Sequence, residues 1–168
     1  MLPTLNARGD VVLLFPGPVR AGALRLGDIV VARSPVNPRH TVCKRVAGLP
    51  GGRVDPWAAA AGLGGGGRHA ARAPPITSSS ASTSIPIPAG HVWLQGDNAA
   101  NSTDSRAYGP VPLALVRGVV VWRVWPPGRA GRVDGGPGAA WAAQVYRAPR
   151  AGEEAGGQVH ASGGRPRY

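Results

Sequence analysis

Every apolar run in the first 126 residues of this chain is short and is closed by glycine or proline. Asp10-Val11-Val12-Leu13-Leu14-Phe15 stops at Pro16-Gly17-Pro18. Ile29-Val30-Val31-Ala32 follows the turn Leu26-Gly27-Asp28 and gives way to Pro35 and Pro38. Residues 41–47 run into a turn at 48–52. His91-Val92-Trp93-Leu94-Gln95 comes just after Pro86, Pro88 and Gly90, and Val116–Trp125 meets Pro126-Pro127. Short β-branched and apolar runs with this punctuation predict strands. No helix candidate of useful length survives. The expected fold class is mainly β, with about five short antiparallel strands and long loops. Gly118, inside the last run, predicts a bulge.

The same punctuation sets the domain organisation. Glycine and proline supply 26 and 18 of the 168 residues, unevenly. Residues 57–85 hold low-complexity runs (four alanines, four glycines, a serine-rich stretch) with no period, which reads as a surface insertion. Residues 127–168 are rich in Gly, Ala and Arg and read as a largely disordered tail, with Trp141 and Tyr146 able to dock locally. One domain over 1–126, with room for a core, remains. The net charge of +11 points to an anionic partner such as a membrane surface, nucleic acid or an acidic peptide. Without RGG repeats and with little aromatic interleaving, nucleic acid is not expected. A single cysteine, Cys43, excludes an internal disulfide and a cysteine-based zinc site. The four histidines lack ligand spacing, and no Gly-Lys-Ser/Thr follows the glycine run, so no metal or cofactor is expected. No apolar run is long enough to span a bilayer.

Two features carry chemistry. Lys44 is the only lysine among 19 Lys and Arg residues. A chain that uses arginine for every other cation keeps its one lysine either by chance or for a task arginine cannot do. Arginine stays protonated, whereas a desolvated lysine can become a base. Strand alternation places Lys44 on the face of Val42 and Val46, an apolar setting. The second feature is the polar loop from Gly96 to Pro112, between two hydrophobic strands. Ser102 offers a hydroxyl to hold the lysine amine. Asp104 and Arg106 can pair and stiffen the loop, and Asp97 can pair with Arg45 on the opposite strand face. The competing reading is a solvated turn rich in Asn, Asp, Gly and Ser.

Taken together, the sequence resembles the type I signal peptidases, the Ser/Lys endopeptidases, and most of all their mitochondrial branch, the inner membrane proteases of the subunit 1 type. Four segments carry the resemblance in order: Met1-Leu2-Pro3-Thr4-Leu5 with Gly9-Asp10; Gly27-Asp28-Ile29-Val30-Val31; Val42-Cys43-Lys44-Arg45-Val46 with Gly48-Leu49-Pro50-Gly51; and Gly96-Asp97-Asn98 through Asn101-Ser102, Asp104-Ser105-Arg106 and Gly109-Pro110-Val111-Pro112. The resemblance implies a β-rich domain that removes sorting peptides from precursor proteins. Lys44 would be the general base, and Ser102 would orient its amine. Asp97, Asp104, Arg45 and Arg106 would be supporting ion-pair positions. It further implies the intermembrane-space side of the mitochondrial inner membrane, a second protease subunit as partner, and contact with the membrane surface.

The resemblance also sets two departures. The family's nucleophilic serine directly precedes the segment that begins here at Met1, and its membrane helix lies further upstream. The 168 residues alone are therefore expected not to cleave, and a noncatalytic partner subunit is the alternative reading. Gly52 stands where the family usually has an acidic residue.

Overall fold

The computed structural model describes residues 4–6, 9–20, 22–56, 84–98, 101–133 and 136–149. The insertion expected at 57–85 lies outside these except for Ser84 and Ile85.

The β-branched runs form the expected strands: β1 (Val11–Phe15), β2 (Ile29–Arg33) and β3 (Thr41–Gly48). After the short β4 (Arg53–Val54) and β5 (Ile85–Pro86) come β6 (His91–Gln95), β7 (Val111–Pro112), β8 (Val116–Trp125), β9 (Gly131–Arg132) and β10 (Tyr146–Arg147). A seven-stranded sheet has the order β1-β8-β2-β3-β6-β7, with β9 also on β8, and every pairing is antiparallel. The ten-residue β8 carries β1 on one edge and β2 then β9 on the other. Its register slips beside Gly118: Val31 faces Gly118 but Ala32 faces Val116, so Arg117 bulges out.

Alternation along the strands sorts the core. Val30, Ala32, Val46, Val92 and Leu94 point to one face of the sheet and pack with Val111 and Val116. Ile29, Val31 and Cys43 point to the other and pack with Leu5 and Val120. Lys44 shares the first face with Val42 and Val46; Arg45 shares the second with Cys43.

The structure adds elements beyond the roughly five strands expected. Strands β4, β5, β7, β9 and β10 have two residues each. Runs so short have no period to read; they exist because neighbouring backbone lies alongside. The strands β10-β4-β5 make a second, small sheet. Residues 127–133 and 136–149, expected within a disordered tail over 127–168, hold β9, β10 and a ten-residue helix, Gly136–Val145, while 150–168 lie outside the described residues. That helix buries Ala142 and Val145, three apart on one face, against Ala47, Val54, Ile87 and Trp93. Burial of this face, not composition, orders the segment. The ring of Tyr146 lies over Gly52, so closely that a Cβ on Gly52 would run into the ring. The departure at Gly52 thus coincides with a tyrosine in the space where a side chain would project.

Candidate active site

The site lies where β3, the turn after β6 and the polar loop meet. Strand β3 fixes Lys44 through its ladder with β2, in which Val30 opposes Lys44. On its other edge β3 pairs with β6 from Arg45 onward. Among the described residues, Thr41 to Lys44 have no strand partner on that edge.

The polar loop is held to β6 by side chains that act in place of a strand. Strand β7 pairs only with His91 and Val92. Beyond them the Leu94 amide donates to Ser105 Oγ (2.9 Å) and the Gly96 amide to Asp104 Oδ2 (3.0 Å). Asp104 also caps the one-turn helix Ser105–Tyr108 by accepting from the Arg106 amide. Arg106 closes a two-pronged pair on it, Nε to Oδ1 at 2.9 Å and Nη2 to Oδ2 at 2.8 Å. Burial pushes the Asp104 carboxyl up, but bonds from Arg106, the Gly96 amide and Ser102 outweigh that and hold it below the usual aspartate value.

This scaffold delivers Ser102 to the lysine. Lys44 Nζ donates to Ser102 Oγ at 2.6 Å. The Ser102 hydroxyl also bonds to the Asp104 carboxylate, so Asp104, Ser102 and Lys44 form one chain. Burial pulls the Lys44 amine below its ordinary value, while the Asp104 charge opposes that shift. The result is a half-buried amine with a fixed direction and a weakened hold on its proton.

On the far face of β3 lies a second, buried pair. Arg45 donates to Asp97 through Nε (2.8 Å) and Nη2 (2.8 Å), with side-chain exposures of 0% and 4%. Arg45 Nη1 donates to the Gly27 carbonyl at 2.7 Å. Thr4 joins them: its hydroxyl donates to Asp97 Oδ2 at 2.5 Å and accepts from Arg45 Nη2 at 3.2 Å. All six residues singled out from the sequence are thus drawn into two bonded groups, Lys44-Ser102-Asp104-Arg106 and Arg45-Asp97. Asp97, directly after Gly96, links them.

Three further residues shape the site and had no role assigned from sequence. Thr4 sits in the Met-Leu-Pro-Thr segment, 93 residues from Asp97. Ser105 stands in the last motif. Gly96 leaves the space that Ser102 Oγ fills; a Cβ there would overlap that hydroxyl and come within 3.5 Å of Lys44 Nζ. The thiol of Cys43, next to the lysine but on the opposite face, is pushed up to about 11 by burial.

The fold is thus an antiparallel β domain in which the half-buried Lys44 amine donates to the Ser102 hydroxyl. The chain belongs to the signal peptidase family, peptidase S26, whose model matches residues 1–60 and 66–125. It is 45% identical over 127 residues to the mitochondrial ATP-independent inner membrane protease subunit 1a of Arabidopsis thaliana, covering 76% of this chain and 66% of that one. It is 42% identical over 129 residues to the mitochondrial inner membrane protease subunit 1 of Schizosaccharomyces pombe, covering 75% and 68%. A crystal structure of a signal peptidase I from Enterococcus faecalis V583 overlaps with a TM-score of 0.39 at 30% identity, covering 58% of this chain and 96% of that one. The chain spans about half to two thirds of the length of the curated relatives it matches.

Proposed function

We propose that this chain supplies the catalytic base of a Ser/Lys endopeptidase that removes sorting peptides from precursor proteins at the mitochondrial inner membrane, on the intermembrane-space side. Lys44 is the general base and Ser102 holds its amine in line. The attacking hydroxyl is assigned to a serine directly before Met1, outside these 168 residues. The neutral Lys44 amine takes the hydroxyl proton as the serine oxygen attacks the scissile carbonyl. The resulting ammonium returns the proton to the leaving amine. A water, deprotonated by the same amine, then hydrolyses the acyl-enzyme. The observation that carries this reading is the 2.6 Å bond between Lys44 and Ser102 around an amine whose burial disfavours its charge.

Two features of the surface support the rest. Among the described residues the edge of β3 from Thr41 to Lys44 has no strand partner, so an extended substrate added as a strand there brings its backbone past the amine. Strands β1 and β8 expose Val11, Leu13, Phe15, Trp122, Val124 and Trp125, each at least 45% accessible. Tryptophans on an apolar strip of a cationic chain suit an anionic bilayer surface. The names of the relatives, each a subunit, support a second protease subunit as partner.

The test uses a chain extended by a serine before Met1, assayed on a peptide containing a sorting-peptide cleavage site. Cleavage should appear in the extended chain and vanish in Lys44→Met and in the serine-to-alanine variant. The 168-residue form should be silent. Lys44-dependent cleavage by the 168-residue form would overturn the assignment of the nucleophile. A folded, inactive extended chain would overturn the peptidase reading. If that inactive chain also co-purified with a second subunit without acyl-enzyme labelling, the noncatalytic partner reading would replace it.

A further inference from the structure

We infer that Arg123 of β8 is a positioning residue that, with Asp10, clamps the N-terminal segment leading to the reactive serine. The inference rests on the Ser/Lys reading and concerns a group outside the Lys44 and Arg45 networks. Arg123 is held in the sheet on both sides, opposite Val12 of β1 and Gly131 of β9. Its guanidinium leaves the sheet to meet the segment around Thr4. Nη1 donates to the Thr4 carbonyl (3.3 Å) and to Asp10 Oδ2 (3.3 Å), while Nε donates to the Arg129 carbonyl (2.9 Å). Asp10 in turn accepts from the Asn6 amide (2.8 Å) and from Asn6 Nδ2 (2.8 Å). Arg129 Nη1 donates to Asn6 Oδ1 (3.2 Å), which closes a ring of Asn6, Asp10, Arg123 and Arg129.

The ring explains how one short segment is fixed in space. Thr4 is gripped at its hydroxyl by the buried Arg45–Asp97 pair and at its carbonyl by Arg123. Leu5 beside it is buried against Ile29 and Val120. The chain entering at Thr4 is therefore tied to two different strands, β3 and β8. Because Asp97 adjoins Gly96, the first tie sets the segment relative to Lys44. The second, through Arg123, sets its rotation about that tie. A reactive group carried just before this segment depends on both for its approach to the amine. Misplacement by about 1 Å is enough to cost about 100-fold in rate.

The experiment has two arms, in Arg123→Gln and the near-isosteric Asp10→Asn. In the 168-residue chain, amide hydrogen exchange is followed at Asn6 and, as a core reference, at Val30. The clamp predicts roughly tenfold faster exchange at Asn6 with Val30 unchanged. In the serine-extended chain, it predicts a kcat about 100-fold lower with KM within about threefold. Unchanged Asn6 exchange in a folded variant overturns the clamp, whatever happens to activity. A parallel rise in KM, or faster exchange at Val30 as well, overturns it in favour of a merely structural role. If Arg123→Gln does not fold, Asp10→Asn decides. If the wild-type extended chain does not cleave, the peptidase reading fails and the exchange arm still decides the clamp.

Discussion

Gly96 and Ser102 share space so tightly that one methyl group on Gly96 would overlap the Ser102 hydroxyl. The glycine here answers to side-chain packing, since its open face is where the serine reaches Lys44. Gly96→Ala should therefore displace Ser102 and break the bond to the amine. Overpacking predicts a loss of about 1–3 kcal/mol in denaturant unfolding. In the serine-extended chain, kcat should fall as far as it does in Ser102→Ala. Full activity in Gly96→Ala would show that the serine does not need this position.

The Arg45–Asp97 ion pair is expected to act as a stability element. Both side chains are almost wholly buried, so removing either leaves an unpaired charge in the core. Arg45→Met and Asp97→Asn should each cost about 3–5 kcal/mol, read from chemical denaturation. The double variant should cost clearly less than the sum of the two. Additive losses would mean that the pair is not coupled in solution.

Lys44 is expected to stabilise nothing by its charge. Its folded pKa lies below the unfolded value of 10.5, so the unfolded chain binds the proton more tightly. Stability should then rise with pH through the window from the lowered value up to 10.5. Below that window the penalty for the buried ammonium is complete. Lys44→Met should remove this slope and be at least as stable as wild type at pH 7, while abolishing cleavage in the extended chain. Asp104 has the opposite sign. Its carboxyl is held below the ordinary aspartate value of 3.8, so its contribution is full above 3.8 and is lost as pH falls below it. Asp104→Asn should flatten the acid limb of a Tm-against-pH curve.

Residues 136–149 are part of the folded unit. Val145 is wholly buried, and Val145→Ala should cost about 2 kcal/mol from two lost methyl groups. Gly52→Glu should destabilise by about 1–3 kcal/mol through its collision with the Tyr146 ring. Tyr146→Ala should relieve part of that cost, which a double-mutant cycle would show as coupling. No coupling would place the ring elsewhere.

Much of the sheet was legible because β2, β3, β6 and β8 are β-branched runs between glycine and proline stops, and that signal is local. The pairing of Lys44 with Ser102 and of Arg45 with Asp97 was legible through motif resemblance and strand alternation. What could not be read is set by proximity in space. Strands β4, β5 and β10 are two-residue ladders, and helix Gly136–Val145 opens with Gly-Pro-Gly, which hides it among loop-like residues. Thr4 enters the Arg45–Asp97 pair from the other end of the domain. Ser105 and Gly96 act through a backbone amide and an empty volume, neither of which has a sequence signature.

Because Lys44 is the only lysine, labelling the protein with carbon-13 lysine yields one side-chain resonance to follow against pH by NMR. The structure predicts a single titration with its midpoint below 10.5 in the folded protein, returning toward 10.5 on unfolding. A folded-state midpoint at or above 10.5 would mean that the amine is solvated or charge-paired, and the assignment of Lys44 as base would be contradicted.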